Sequence, residues 1–247
     1  MHPEIDRFAY LSSPLHRLDP RAKIAVFAAF LVATALVRGL PGALLALALA
    51  VLWVGVSRIP LGFVLRRLKA VVLFLSAFLV LLPLTHPAGW QAGLLRGAVI
   101  FIKGLAMVLT VFPMFGTTPF HTSMKALSRL HVPERLVAMI LFTYRYLFGF
   151  AEEVRTVQQA ARARGFKPGN NRRTLATLGN LIGLTLVRAY ERTERIYQAM
   201  LARGFKHKFG TLHEFSFTWP DAWKSLGILL AAVALVGVDR LWPKFFG

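Results

Sequence analysis

Five stretches of this 247-residue chain are apolar for long enough, or nearly long enough, to cross a lipid bilayer. A membrane-spanning helix needs about 20 mostly apolar residues, and roughly 17 suffice. Hydrophobic residues make up 56% of the chain and charged residues 17%, against about a quarter charged in a typical soluble domain. The predicted spans are residues 24–37, 40–56, 70–84, 94–116 and 223–241. We therefore predict an all-α polytopic membrane protein with about five transmembrane helices.

The first predicted span, residues 24–37, is the shortest of the five and is shorter than a bilayer crossing requires. It approaches a crossing length only when Ala22 and Lys23 are counted with it. We interpret Lys23 as an end residue whose ammonium snorkels toward the lipid headgroups. Residues 1–19 show no signal-peptide pattern, so we expect the first apolar run to be retained as a span.

Basic residues are concentrated in alternate loops. The net charge is +19, from 30 Lys and Arg against 11 Asp and Glu, and 16 of the basic residues lie between positions 120 and 215. The N-terminal segment and the loop after the second span are also basic, whereas each intervening loop carries one arginine, Arg38 or Arg96. Because cytoplasmic loops collect Lys and Arg, this alternation predicts a cytoplasmic N-terminus and a C-terminus outside. Topology thus explains the charge without nucleic acid as a partner.

The large basic segment divides the chain into three predicted parts. Residues 1–116 hold the N-terminal cytoplasmic segment and four spans, 117–220 form a cytoplasmic-side helical coupling domain, and 221–247 form the last transmembrane helix. Within the middle part we expect a long helix over residues 172–203. Its apolar piece, residues 175–187, is too short to span, so we interpret it as buried or interfacial.

An internal repeat lies in the basic segment. Residues 159–167 and 198–206 match at seven of nine positions, including an unbroken Ala-Arg-Gly-Phe-Lys. Each copy has good helix formers up to the arginine, after which Gly165 or Gly204 can adopt the left-handed conformation that ends a helix. The arginine then lies in the last helical turn, where exposed carbonyls favour a cation. Its guanidinium can bind a carboxylate through two parallel hydrogen bonds.

Two matching helix ends favour docking into two equivalent grooves on a partner, such as a dimeric cytoplasmic motor. The alternative is that both are ordinary helix ends on a basic membrane surface and contact lipid headgroups. The residues predicted to form the coupling sites are Ala163, Arg164, Gly165, Ala202, Arg203 and Gly204.

The chain offers little for catalysis or metal binding. It has no Cys, no P-loop, and no His pair at the i, i+4 spacing of a helical metal site. The histidines are His2, His16, His86, His121, His131, His207 and His213. The acids of the basic segment lie among arginines, which predicts ordinary helix-face ion pairs. Lys103 lies within the fourth span, and we expect it to face the bundle or a partner and find a backbone carbonyl. We predict no catalytic residue, metal site or cofactor.

The chain resembles the T component of energy-coupling factor (ECF) transporters, in particular the CbiQ type of cobalt systems. The resemblance rests first on the two Ala-Arg-Gly copies, 163–165 and 202–204. Residues 13–23, Ser-Pro-Leu-His-Arg-Leu-Asp-Pro-Arg-Ala-Lys, are similar to the family's entry motif. Further similarities are Thr117-Thr118-Pro119, Pro133, Tyr144-Arg145-Tyr146 and Glu152-Glu153. Together they extend the resemblance over nearly the whole chain.

The resemblance implies a transport scaffold that neither hydrolyses ATP nor binds the substrate. Two cytoplasmic ATPase subunits would each hold one coupling helix, and their ATP-driven movement would pass to a separate substrate-binding membrane subunit. In cobalt systems the substrate is Co²⁺, and the alternatives within the family are nickel, biotin or other vitamins. Two other classes are a polytopic membrane enzyme acting on lipids and a basic membrane anchor for another complex.

Overall fold

The computed structural model describes residues 8–85, 87, 89–130, 132–205 and 219–246, and these residues form helices without strands. The helices are α1 (Pro20–Leu36), α2 (Leu40–Ser57), α3 (Leu61–Thr85), α4 (Trp90–Gly116), α5 (Phe120–Arg129), α6 (Glu134–Ala163), α7 (Arg172–Ala202) and α8 (Trp219–Phe246). The all-α prediction is confirmed.

Four of the described helices, α2, α3, α4 and α8, are long and apolar enough to cross a membrane. Helix α1 has 17 residues, which is at the short end of the roughly 17 to 25 that cross a bilayer. Large apolar side chains on α3 are turned outward, with Leu73 76% exposed and Phe74 69% exposed. This arrangement fits a polytopic membrane protein in which α1 is the short candidate for a fifth span.

Helix α3 differs from its predicted span, residues 70–84. It begins at Leu61, so three cations predicted to lie in a loop occupy its first turns: Arg66, Arg67 and Lys69. Val64 and Leu68, four residues apart, are buried on one face while the three cations are exposed. A helix start with only one apolar face is missed when spans are located by continuous apolar runs. Pro83 was also predicted to stop the span, but it lies inside the helix.

The described residues divide into two compact units. The first unit comprises α1–α5 and α8, and the second unit comprises α6 and α7. The first unit is discontinuous in sequence, because α8 follows the second unit along the chain. Helix α5 falls in the predicted coupling segment, residues 117–220, and packs against α1 in the first unit. The cytoplasmic location of that segment remains a prediction.

The short helix α1 contributes the centre of the first unit. Phe27 and Phe30 are fully buried, and both rings pack edge-on against Trp53 of α2, with centroid distances of 5.2 and 4.4 Å. Leu235 of α8 is also fully buried. Aromatic pairs of this kind stabilise a core beyond the area they bury.

The carboxylate of Asp239, on α8, binds the backbone at the start of α2. It accepts hydrogen bonds from the N–H groups of Arg38, at 2.9 Å, and Gly39, at 2.7 Å. Gly39 is the N-cap of α2 and has no side chain that could cap the helix. An anion at this position also interacts favourably with the positive end of the helix dipole.

Contacts between helix ends give the relative directions of α1, α2, α4 and α8. Lys23, at the start of α1, contacts Thr117, at the end of α4. Lys224, near the start of α8, donates to the carbonyl oxygen of Pro14 at 3.4 Å, so α8 begins at the same end. Asp239 and its backbone partners mark the opposite end. Helices α1 and α8 therefore run in one direction and α2 and α4 in the other, in agreement with the charge pattern of the loops.

The second unit is a pair of long helices. Helices α6 and α7 have 30 and 31 residues, and the bounds of α7 agree with the predicted helix over residues 172–203. The side chain of Asn171 caps α7 by accepting from the N–H of Thr174 at 2.8 Å. An ion pair between Arg192 and Glu153, 2.8 Å long, joins α7 to α6. This pair bridges two helices, whereas Glu191 and Arg195, four positions apart on α7, pair along one helix face as predicted, at 3.9 Å.

Candidate functional site

Helix α6 ends at the first Ala-Arg-Gly copy. Arg164 is its C-cap, with φ −82° and ψ 11°, and Gly165 follows with φ +84°. The N–H of Gly165 donates to the carbonyl of Arg162 at 2.9 Å, and the N–H of Phe166 donates to the carbonyl of Ala161 at 3.0 Å. These two bonds form a Schellman motif, which satisfies carbonyl groups that the end of a helix leaves without partners.

Helix α7 ends in the same way at the second copy. Arg203 is its C-cap, with φ −90° and ψ 10°, and Gly204 follows with φ +75°. The N–H of Gly204 donates to the carbonyl of Leu201 at 2.9 Å, and that of Phe205 donates to Met200 at 3.1 Å. The predicted left-handed glycine is confirmed in both copies, so the repeat holds in backbone geometry as well as in sequence. The final lysine of the second copy lies outside the described residues.

Both cap arginines are free to bind an anion. Arg164 and Arg203 are exposed, as are the preceding Ala163 and Ala202, whose small side chains leave the guanidinium groups uncovered. Neither arginine forms an ion pair with an acid in the part of the chain that the structure describes. Each helix end can therefore receive one carboxylate through two parallel hydrogen bonds.

Replacing Gly165 or Gly204 by alanine is expected to lower the free energy of unfolding by about 1–2 kcal/mol, because an L-residue is strained at these positive φ angles. The matched controls are Gly179→Ala and Gly183→Ala, inside α7, which are expected to stabilise by roughly 0.5–1 kcal/mol. An added Cβ meets no atom within 4 Å at any of the four positions, so the backbone conformation alone sets the sign. Unfolding of the purified protein in detergent measures both effects, and stabilisation by Gly204→Ala would contradict the geometry.

Two of the motifs that suggested the family meet in the first unit. Lys23 of the entry motif is 1% exposed, and its ammonium donates to the hydroxyl of Thr117 at 2.9 Å and to that of Thr118 at 2.7 Å. The carbonyl oxygen of Thr117 lies 3.4 Å from the same ammonium. The three donors of the ammonium thus have three oxygen acceptors, as a buried cation requires. This contact fixes the start of α1 to the junction between α4 and α5.

The interpretation of Lys23 as a snorkelling end residue is therefore wrong. The side chain points into the unit because buried oxygen acceptors are available there, and its charge does not reach solvent. Asp19, which precedes Pro20 in the same motif, caps α1 by accepting from the N–H of Arg21 at 2.8 Å. The motif thus contains both the cap of α1 and the cation that attaches it to α4.

The entry motif also orders the segment before α1. The Nε2–H of His16 donates to the carbonyl of Phe8 at 2.8 Å, and its Nδ1 accepts from the hydroxyl of Ser13 at 2.7 Å. Burial lowers the pKa of His16, which favours the neutral imidazole that these two hydrogen bonds require. The motif residues ahead of α1 therefore fix the conformation of residues 8–16, which precede the helix.

The remaining motif residues lie on α6. Pro133 is the N-cap of the helix, and the guanidinium of Arg145 lies 5.8 Å from the ring centroid of Tyr146. Glu153 forms the ion pair that joins α6 to α7. These residues begin and brace the helix that ends at Arg164.

Lys103 binds backbone carbonyls, as predicted. Its ammonium donates to the carbonyl oxygen of Ala35 and, at 3.1 Å, to that of Val37. Both carbonyls belong to the end of α1, where they have no partner within the helix. Lys103 therefore has a structural role that explains a cation in an apolar helix.

Among the described residues, His, Asp and Glu form no group of three that could hold a metal ion. Several of the histidines considered in the sequence lie outside the described residues: His2, His86, His131, His207 and His213.

Residues 11–212 match the CbiQ family, which is described as a cobalt transport protein. The chain belongs to this family. The energy-coupling factor transporter transmembrane protein EcfT of Limosilactobacillus fermentum is 27% identical to it, over 94% of this chain and 93% of the relative. EcfT of Bacillus subtilis is 24% identical, over 95% and 96% of the two chains. The cobalt transport protein CbiQ of Rhodobacter capsulatus is 26% identical, over 75% of this chain and 73% of the relative.

As a CbiQ-family protein, the chain is the transmembrane T component of an ECF transporter and a non-catalytic subunit. The matched residues include the entry motif, the Thr117–Thr118 pair and both Ala-Arg-Gly ends. The membership also removes the alternative of a membrane enzyme acting on lipids. The partners of the two helix ends and the transported substrate are taken up below.

Proposed function

We propose that this subunit couples ATP hydrolysis by two cytoplasmic ATPase subunits to movement of a separate membrane subunit that binds the substrate. The observation that carries the proposal is the duplicated helix end, in which Arg164 and Arg203 have the same cap geometry and both lack an acidic partner among the described residues. Two equal cationic ends suit two copies of one partner that presents a carboxylate in a groove.

Each proposed docking end has a backbone of defined geometry. The Schellman bonds at Gly165 and Gly204 set the direction in which the chain leaves each helix, so the backbone of the arginine is held at a defined position. A pre-organised backbone loses less conformational freedom on binding than a mobile one. Movement of the ATPase subunits would therefore be transmitted to α6 and α7 as whole helices.

We propose a cytoplasmic location for the N-terminus and for the second unit, with the C-terminus outside. The support is the concentration of 16 Lys and Arg between positions 120 and 215, together with the alternating direction of the helices in the first unit. Cytoplasmic loops carry this excess of basic residues in most polytopic membrane proteins.

Cobalt ion is the substrate that we propose for the assembled transporter. The family description and the Rhodobacter capsulatus relative are both named for cobalt transport, whereas the EcfT relatives are named without a substrate. The substrate is expected to bind the separate membrane subunit rather than this chain. Cells that express the complete set of subunits are expected to take up Co²⁺, and the measurement is uptake of labelled Co²⁺ against Ni²⁺ and biotin. Uptake of either alternative without Co²⁺ would contradict the cobalt proposal alone.

Capture of ATPase subunits tests the coupling proposal directly. The tagged wild-type chain is expected to retain two ATPase subunits, and Arg164→Glu or Arg203→Glu alone is expected to weaken that capture. Arg162→Glu, on the same helix and also exposed, is the matched control for charge and is expected to capture normally. Unchanged capture by both single variants would reject the helix ends as the docking sites and would favour a basic membrane anchor.

A further inference from the structure

A basic cavity lies between α6 and α7 in the second unit, beside the first Ala-Arg-Gly end. Its volume is about 730 Å³. Four cations line it, namely Arg164, Lys167, Arg173 and Arg188, and no acidic side chain among the described residues does so. An opening with several cations and no anion attracts a negatively charged ligand.

Three acids of the second unit are engaged away from the cavity. Glu153 pairs with Arg192 at 2.8 Å, and Glu191 lies 3.9 Å from Arg195. Glu194 accepts from the side chain of Gln198 at 2.8 Å. None of these contacts involves a cation of the basic cavity, whose four cations form no ion pair within the described part of the chain. The positive charge of the cavity is therefore left for a ligand from outside the unit.

An exposed apolar stripe on α7 runs alongside the cavity. Leu175, Leu178, Ile182 and Leu186 follow one another at spacings of three and four residues, which places them on one helix face. Their exposures are 73%, 41%, 61% and 61%. The apolar piece of α7, predicted as buried or interfacial, therefore leaves its large side chains uncovered.

The apolar stripe and the basic cavity share an edge of α7. Thr174, Thr177 and Leu181 line the cavity, and each stands one position before a residue of the stripe. One position corresponds to about 100° around a helix, so the two surfaces are neighbours. A ligand that fits both carries an anionic group and an apolar chain at short separation.

We propose that the basic cavity binds the headgroup of an anionic phospholipid, whose acyl chains lie along the apolar stripe of α7. The phosphodiester offers the oxygens that guanidinium groups bind in pairs, and the stripe removes apolar surface of both molecules from water. A subunit of a membrane transporter has this ligand at hand in the surrounding bilayer. The lipid would hold the amino-terminal half of α7 against the membrane surface, as basic amphipathic helices are held.

The lipid site is distinct from the proposed ATPase contact, although Arg164 borders both. Lys167, Arg173 and Arg188 belong to the cavity and to neither Ala-Arg-Gly copy. The test therefore changes these three residues and leaves Arg164 in place. Lipid binding is measured on the chain without ATPase subunits, so that its failure and a failure of the coupling proposal can be told apart.

Lipid retention by the purified full-length chain is the measurement. The protein in detergent is given equal amounts of phosphatidylglycerol and phosphatidylcholine, and bound lipids are counted by native mass spectrometry. The wild-type chain is expected to prefer phosphatidylglycerol, and the variant Lys167→Gln/Arg173→Gln/Arg188→Gln is expected to lose about tenfold or more of that preference. The control Arg135→Gln/Arg155→Gln/Arg195→Gln removes the same charge from exposed positions outside the cavity and is expected to keep the preference.

Three outcomes would overturn the proposal. The first is equal retention of the two lipids by the wild-type chain, and the second is an unchanged preference in the cavity variant. The third is displacement of phosphatidylglycerol by inorganic phosphate alone, which would assign the cavity to a free anion. If the cavity variant keeps its lipid preference but fails to capture ATPase subunits, the occupant is an acidic protein surface. Leu175→Ser/Ile182→Ser is expected to weaken retention of phosphatidylglycerol while leaving the cations intact.

Discussion

The double variant Arg164→Glu/Arg203→Glu is expected to abolish ATP-driven uptake by the assembled transporter while the protein still inserts into the membrane. Each substitution places an anion where the partner is proposed to present a carboxylate. Losing one buried, hydrogen-bonded charge pair costs about 2–5 kcal/mol of binding, so two reversals lower the rate at least about 100-fold. The measurement is initial uptake by proteoliposomes that contain all subunits and ATP.

The matched control for this double variant is Arg162→Glu/Arg195→Glu. It makes the same change in net charge on the same two helices, at exposed positions other than the two C-cap arginines. It is expected to transport at close to the wild-type rate. Because both substitutions in each variant lie on the surface, the yield of folded protein is expected to match the wild type. Full uptake by the Arg164→Glu/Arg203→Glu variant would refute the coupling role of the two helix ends.

The buried ammonium of Lys23 leads to the second large effect. The double variant Thr117→Val/Thr118→Val leaves that ammonium with the carbonyl oxygen of Thr117, at 3.4 Å, in place of three acceptors. An uncompensated buried charge destabilises by about 3 kcal/mol or more. Lys23→Met alone is expected to cost less, since methionine fills most of the volume and the Thr117 hydroxyl still donates to the carbonyl of Pro113 at 2.7 Å.

A thermodynamic cycle distinguishes this explanation from simple loss of packing. Adding Lys23→Met to the two valines removes the stranded cation, so the triple variant is expected to be more stable than Thr117→Val/Thr118→Val. Unfolding of each variant in the same detergent gives the comparison. Thr110→Val is the control, because this buried hydroxyl bonds the carbonyl of Ala106, within its own helix. Additive losses in the triple variant would contradict the proposed role of the ammonium.

Local chemistry allowed the helix ends to be predicted from the sequence. The left-handed Gly165 and Gly204 follow from the helix formers before them and from the conformational freedom of glycine, which depend on a few neighbouring residues. The repeat then indicated that both helix ends bind equivalent sites on one partner. The sequence also predicted that Lys103 would bind a backbone carbonyl, because a cation in an apolar helix requires an acceptor. It did not identify the residue that supplies that carbonyl.

Contacts between distant segments could not be predicted in the same way. Lys23 and Thr118 are 95 positions apart, and no local pattern shows that one will supply the acceptor for the other. Both residues lie in motifs of the family, which indicated that they matter, but the motifs did not show that the two residues contact each other. The basic cavity is also a product of packing, since Arg164 and Arg188 become neighbours only when α6 and α7 meet. The start of α3 was missed because its first turns have a single apolar face.

The hydrogen bonds of Asp239 have a consequence for the order in which the protein matures. The N–H groups that precede α2 are separated by 200 and 201 positions from their carboxylate partner, which lies on α8. During synthesis, α1 to α5 enter the folding process with this acceptor still missing, and the whole of α6 and α7 is made before it arrives. The first unit can therefore be completed only after the whole second unit has been synthesised.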